Sequence, residues 1–235
     1  MIRLAESLDT LKALCKDSPF GCQIFSAAEA YGFEQHFAQF WTDEHAAYSK
    51  LDGVMRICGT VTDPEEAAAF IHAVGAEQVV CDLKTAEDLD LYIADRGVVL
   101  FKDIEEKENT LTEEVPLRAV YGVLHACDLV GAFEPFYLDV SHRVRHQTAF
   151  CTALYNENEM TAASVTVFGV DCALITAVAV LPKFRRQGLG TAVMRKTESR
   201  LSGRAYLLRA ENENEQFYAS LGYETCGVWC AGTLK

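Results

Sequence analysis

The sequence predicts an α/β chain, built on a mixed sheet and divided into two parts, and three observations predict it. Short apolar runs that read as strands alternate with stretches whose apolar residues recur at helical spacing. Charge is unevenly divided: residues 1–115 hold 23 acidic and 9 basic residues, a balance of −14, whereas residues 116–235 hold 11 and 12, a balance of +1. Between them, Lys102–Val115 is dense in charge, poor in large apolar residues and followed by Pro116, the composition of a linker. The expected division is therefore an N-terminal α/β region over 1–110 and a second domain over 116–235. A length of 235 residues accommodates one large domain or two small ones.

In the first part, Gly53–Cys58 reads as a strand. Asp63 then caps a helix with Pro64 in its first turn and Glu66 placed to complete a capping box. Ala67, Phe70, Ile71 and Val74 carry that helix and Gly75 ends it. Gln78–Cys81 follows as a strand, Thr85–Ala94 as a helix and Val98–Phe101 as a strand.

In the second part, Leu117, Val120, Tyr121 and Leu124 mark one amphipathic helix, and Phe133, Phe136, Tyr137, Val140 and Val144 mark another. Thr148–Tyr155 and Met160–Val167 form a hairpin about Asn156–Glu159. Ala173–Leu181 is nearly all apolar and is expected to be buried on both faces. A loop, a helix to about Leu201, a strand Ala205–Arg209, a short helix Glu213–Leu221 and a strand Thr225–Ala231 complete the order.

Composition excludes several classes. A net charge of −13 argues against a nucleic-acid partner, because phosphate backbones select basic surfaces. No apolar run approaches the ~20 residues that span a membrane, and the acidic Glu6 interrupts the start of the chain, so a soluble, cytoplasmic protein without a leader is expected. The nine cysteines are odd in number, contain no C-x-x-C and sit mostly in apolar runs. They read as small hydrophobic residues in a reducing compartment, and no metal site is expected.

The chemistry concentrates in two segments. In Val180–Thr191 an apolar strand ends at Pro182 and turns through R-x-x-G-x-G into a helix. A helix start presents unpaired N–H groups and the positive end of its dipole, and glycines let an anion approach that backbone. Arg185 and Arg186 add forked donors suited to phosphate oxygens. The loop is neither a Walker A sequence nor a dinucleotide fingerprint. Read by itself it is a phosphate site or an ordinary turn with two exposed arginines. The second segment, Glu211–Tyr223, is rich in Asn and carries Phe217 and Tyr218 on a short helix ended by Leu221-Gly222. Read alone, both aromatics are core residues.

Together, in this order and about thirty residues apart, these segments resemble the GNAT superfamily of N-acetyltransferases. Arg185, Gly188 and Gly190 fall on the defined positions of that family's acetyl-CoA loop, and Phe217-Tyr218-x-x-Leu221-Gly222-Tyr223 matches its later motif. The order of elements after Pro116 also matches, so the resemblance covers about half the chain. It implies an acyl-CoA N-acyltransferase fold and acetyl transfer from acetyl-CoA to a primary amine on a small molecule or peptide, by direct attack in a ternary complex. It further implies that Val178, Ala179 and Val180 line the pantetheine arm and that Arg185, Arg186, Gln187, Gly188, Leu189, Gly190 and Thr191 hold the pyrophosphate. Asn212 or Asn214 contacts the pantetheine region, although their spacing to Tyr218 is shorter than the family's usual pattern. Tyr218 stands as the acid that protonates the departing thiolate, an effect worth ~10²–10⁴-fold when well placed.

No residue fills the role of base. The central strand lacks the carboxylate that many members carry, and Glu211, His142, His146 and Asp171 are each conceivable. That gap keeps a second class open, a CoA-binding regulatory or scaffolding protein. The first part resembles a degenerate copy of the same core. Its corresponding loop, Cys58–Pro64, has one glycine and no arginine, so a second cofactor is not expected there. It has two candidate roles, a wall of the substrate cleft or the interface of a homodimer.

Overall fold

The structure, a computed structural model, describes residues 1–105 and 114–235. Most of the expected linker, residues 106–113, lies outside the described residues. The first part runs β1 (Arg3–Leu4), α1 (Leu8–Lys12), α2 (Pro19–Tyr31), β2 (Ala38–Thr42), β3 (Ala46–Leu51), β4 (Val54–Gly59), α3 (Pro64–Ala73), β5 (Gln78–Asp82), α4 (Leu83–Asp88) and β6 (Tyr92–Ile104). The second runs α5 (Leu117–His125), α6 (Phe133–Arg145), β7 (Ala149–Asn156), β8 (Glu159–Phe168), β9 (Cys172–Val180), α7 (Leu189–Glu198), β10 (Gly203–Ala210), α8 (Glu215–Ser220) and β11 (Glu224–Thr233). A single 3₁₀ turn, Pro182–Phe184, links β9 to the loop before α7.

From the α1–α2 pair onward, the first order recurs in the second: two helices, three strands, helix, strand, helix, strand. The chain is thus two copies of one unit, as the resemblance implied for its first part. Among the described residues, eleven strands form one sheet in the order β1-β2-β3-β4-β5-β11-β6-β10-β9-β8-β7. The last strand of each copy is exchanged. Strand β6 pairs antiparallel with β10, β11 pairs antiparallel with β5, and the two pair with each other at the centre. Each copy also holds one parallel pair, β4 with β5 and β9 with β10.

Helix α2 ties the copies together on one face. Ser26 Oγ donates to Thr148 O at 3.1 Å, Tyr31 Oη donates to Asp139 Oδ1 at 2.6 Å, and His142 Nε2 lies 2.8 Å from Ala30 O. A β-carbon built at Gly169 would meet Cys22 Sγ at 2.6 Å, so only glycine admits α2 this close. At the central seam Gly97 does the same: a β-carbon there would meet Arg209 O at 2.0 Å and Trp229 Nε1 at 2.6 Å. The indole donates to that carbonyl at 3.1 Å.

Four expectations are corrected. The helix expected over Thr85–Ala94 ends at Asp88; Asp90 takes a left-handed φ of 51°, and Tyr92 already pairs with Thr233. Strand β6 reaches Ile104, beyond the expected Phe101 and into the expected linker, because Lys102–Ile104 pair with Gly203–Ala205. Cross-strand pairing outweighs local propensity in both places. Glu66 does not close a capping box: Asp63 accepts from Glu66 N–H at 2.9 Å, but the Glu66 carboxylate accepts from Ile2 N–H at 3.0 Å. Finally, β9 is not buried throughout. Thr176 is exposed and Ala177 and Val178 are half-buried.

Candidate active site

The exposure of β9 has a local cause. Val165 pairs with Ala177 but Thr166 pairs with Ile175, so Thr176 is the extra residue of a β-bulge, and its hydroxyl donates to Val165 O at 3.2 Å. On the other side β9 pairs with β10 only over Cys172–Ile175. Beyond Ile175 the two parallel strands separate, and one edge of β9 loses its partner. Leu181 N–H donates to Thr161 O at 2.9 Å, so by the alternation of a strand Val178 and Val180 turn their backbone groups away from β8 and into the gap. Two side chains already cap Val180 O: Arg185 Nε at 3.1 Å and Cys127 Sγ at 3.4 Å.

The loop after β9 closes one end of this gap. Pro182 begins the 3₁₀ turn, Arg186 takes φ 63° and Gly188 takes φ 80°, both in the left-handed region. Left-handed residues interspersed in a turn that runs into a helix bring successive N–H groups to one side, an anion-binding concavity. A β-carbon at Gly188 would meet nothing within 4 Å, so the space over that backbone is open. At Gly190 it would meet Phe217 Cζ at 3.2 Å and Cε2 at 3.3 Å. The side chains of Arg185 and Arg186 are exposed, and neither forms an ion pair among the described residues.

Helix α8 forms the facing wall. Asn214 precedes it at φ 51°. Phe217 and Tyr218 are half-buried with ring centroids 4.9 Å apart, and Tyr218 meets Tyr223 edge-on at 6.0 Å. Burial raises the Tyr218 phenol to about 12, against a smaller opposing pull from Arg209. Arg209 itself is buried and donates to Glu213 O at 2.8 Å and Ala210 O at 3.1 Å, fixing the turn that delivers α8.

The resulting cavity is about 600 Å³. The structure brings together there, of the residues expected from sequence, Val178, Ala179, Val180, Arg185, Arg186, Gly188, Leu189, Gly190, Thr191, Asn214 and Tyr218. Gln187 and Asn212 are not on its wall, although Gln187 lies within the loop and Asn212 adopts a left-handed φ of 62° in the turn before α8. Cys127 and Glu213 line it and were not expected. Cys127 follows α5, and nothing in its local sequence marks it.

A second cavity, about 260 Å³, opens on the face of the sheet that carries α2, α5 and α6. Its wall includes Thr176 and Ala177 of the bulge, and it shares Leu129 with the first cavity. The first copy contributes Gln23, Ser49 and Arg56, and α6 contributes Asp139 and Arg143. None of these residues carries a sequence signal; they meet only in the tertiary fold. The four candidate bases are elsewhere. Glu211 pairs with Arg96 at 3.0 Å, Asp171 lies 3.7 Å from Lys16, and His142 stacks on Tyr31 at 4.6 Å with His146 beside it at 4.3 Å. None of the four lines either cavity.

Residues 146–225 match the acetyltransferase (GNAT) domain family. This part of the chain is a GNAT domain. The glycine loop, α8 and the splayed β9 all fall inside the matched segment. Solved structures extend the likeness to the whole chain at the level of fold. A GCN5-related N-acetyltransferase from Kribbella flavida is 13% identical, with 95% of this chain and 96% of that one covered and a TM-score of 0.63. A tandem GNAT protein from the clavulanic acid biosynthesis pathway is 12% identical over 98% and 97%, with a TM-score of 0.58. A GCN5-related N-acetyltransferase from Sphaerobacter thermophilus is 11% identical over 98% and 94%, at 0.57. None of the curated proteins matches. Both copies in this chain thus belong to a fold that GNAT proteins share, while the family's sequence signature is confined to the second. Among the described residues no helix is long and apolar enough to cross a membrane, and no cluster of His, Cys, Asp and Glu could hold a metal ion.

Proposed function

We propose that this protein transfers the acetyl group of acetyl-CoA to a primary amine by direct attack in a ternary complex, in the cleft of its GNAT domain. The observation that carries the reading is the gap between β9 and β10, with the glycine loop at one end and Tyr218 on its facing wall. The residues fit the cofactor. The open backbone at Gly188 and the exposed Arg185 and Arg186 suit a pyrophosphate, and the unpaired edge of β9 suits an amide-bearing pantetheine arm, which can pair with it as a strand would. Acetyl-CoA supplies the acetyl group as an activated thioester. Val178 and Val180 N–H are the donors available to a carbonyl oxygen in the gap, where a preorganised N–H is worth ~2.7–4 kcal/mol. Tyr218 holds a proton at its hydroxyl for the sulfur that departs. In the balance of the reaction an N–C bond forms, a C–S bond breaks, and the amine loses the proton that the thiol gains.

The position of the four candidate bases favours a second reading, in which the chain binds CoA as a regulator or scaffold without turnover. Calorimetric titration of acetyl-CoA into the wild type and a Gly188→Glu variant tests the first step. Saturable binding that the variant loses supports the cofactor site, and absence of binding by the wild type sinks both readings. Release of free CoA in the presence of an amine then separates enzyme from scaffold.

A further inference from the structure

We propose that the smaller cavity is the acceptor subsite and takes a small amine that also carries a carboxylate, held by the terminal nitrogens of Arg56. The inference rests on the acetyl-transfer reading and names the substrate class of that site.

Position comes first. The cavity and the cofactor cleft touch along β9: Thr176 and Ala177 wall the one, Val178 to Val180 wall the other, and Leu129 borders both. The bulge is what opens the sheet at that point. An acceptor in the smaller cavity therefore reaches the gap from the face opposite α7, without displacing a ligand from the glycine loop.

Charge then selects the ligand. The ionisable residues on the wall are Arg56, Arg143 and Asp139, two cations against one anion. Asp139 is already paired, accepting at Oδ1 from both Arg143 Nε at 2.7 Å and Tyr31 Oη at 2.6 Å. Arg143 also donates to Ser26 Oγ at 3.0 Å. Arg56 has no such partner. Its Nε donates to Gln23 Oε1 at 2.8 Å, and among the described residues no carboxylate forms an ion pair with it and no acceptor meets its terminal nitrogens. Arg56 is half-buried, and desolvation and then the Arg143 charge lower its guanidinium to about 10, so it stays protonated at neutral pH. With only Nε engaged, the guanidinium keeps its terminal donors for a forked pair of hydrogen bonds to a ligand carboxylate.

The surroundings complete a carboxylate site. Ser49 is paired directly opposite Arg56 across β3 and β4, and its buried hydroxyl lies on the cavity wall. Gln23, with its Oε1 committed to Arg56, has its amide N–H groups left to donate. A cavity of about 260 Å³ admits an amino acid but not a folded protein surface. The first copy, which lacks the family's loop, thus supplies the recognition of the acceptor.

The test is steady-state transfer to the common α-amino acids, β-alanine and γ-aminobutyrate, each assayed beside its carboxamide, with acetyl-CoA. At least one acid is expected to exceed its amide in kcat/KM by about tenfold or more, since a site built for a charged partner rejects the analogue lacking it. Arg56→Gln is expected to remove that preference, mainly through KM, with the acetyl-CoA dissociation constant unchanged. Arg56→Lys is expected to restore part of it. An amide transferred as well as its acid, no acid transferred or bound by a protein that binds acetyl-CoA, or a preference that survives in a folded Arg56→Gln protein each overturns the proposal. The wild-type comparison stands by itself if the variant does not fold. Failure of the wild type to bind acetyl-CoA instead removes the reading beneath the proposal, and the proposal with it.

Discussion

The ring of Phe217 rests on the backbone of Gly190, with a hypothetical β-carbon at that glycine only 3.2 Å from Phe217 Cζ. The two motifs of the GNAT domain are thus one physical contact. The glycine is small because the aromatic occupies its place, and the aromatic in turn sets the distance between α7 and α8. Gly190→Val is expected to push α8 away from the loop and to weaken acetyl-CoA binding at least tenfold, measured by calorimetry. Overpacking of this kind costs ~1–3 kcal/mol. A variant that binds as tightly as the wild type would show that the contact does not set the cleft.

Tyr218→Phe is expected to lower kcat by ~10²-fold or more while leaving acetyl-CoA affinity unchanged. Full turnover in this variant removes Tyr218 from the mechanism.

The pH dependence of that residue has a definite sign. Burial raises the Tyr218 phenol from its ordinary 10.0 to about 12, so the folded protein favours the neutral form. Its contribution to stability is complete below pH 10.0 and is lost as pH rises through about 12. The rate profile of the wild type is expected to show no loss assignable to this proton at neutral pH. Alkaline unfolding followed by circular dichroism is expected to be shallower for Tyr218→Phe; an identical curve contradicts the assignment.

Arg186 is exposed and has no ion-pair partner among the described residues, so its charge is available to a phosphate but screened by salt. Arg186→Ala is expected to weaken acetyl-CoA binding by up to about tenfold at low salt, and the difference from wild type is expected to shrink at high salt. A loss that is independent of salt argues for a steric role instead.

Gly97→Ala tests the central seam. The added carbon would meet Arg209 O at 2.0 Å, a backbone atom that cannot yield cheaply. Destabilisation of about 3 kcal/mol is expected, near 6–12 °C in Tm for a chain of this size. An unchanged melting curve would mean that β6 and β11 separate readily at this point.

The second copy was legible in the sequence almost element by element, because each of its strands and helices carries its own periodicity and Pro182, Gly188 and Gly190 mark the turn from β9 into α7. The first copy was legible only where Asp63 and Pro64 start α3 and where Gly53–Cys58 and Gln78–Cys81 read as strands; residues before Gly53 drew no assignment. The bulge at Thr176 was hidden, since ALITAVAV carries no polar break that would mark one. Cys127 and Glu213 reach the cleft through tertiary placement. The smaller cavity was invisible for the same reason: Arg56 and Asp139 are 83 positions apart and meet only after two copies pack. Glu211 and Asp171, plausible by residue type, instead form surface ion pairs with Arg96 and Lys16 from the first copy.

The exchange of β6 and β11 governs how this chain is made. On a ribosome, β6 emerges early but its neighbours on either side, β10 and β11, are among the last strands synthesised. Until they arrive, the centre of the sheet has an open edge in the first copy, and no half can finish alone. Such long-range pairings slow folding and leave strand edges available to the wrong partners. Cutting the gene between the copies is therefore not a neutral operation: each fragment would keep a strand meant for the other and lack one of its own. Co-expressed fragments should find each other and reconstitute, where single fragments should aggregate.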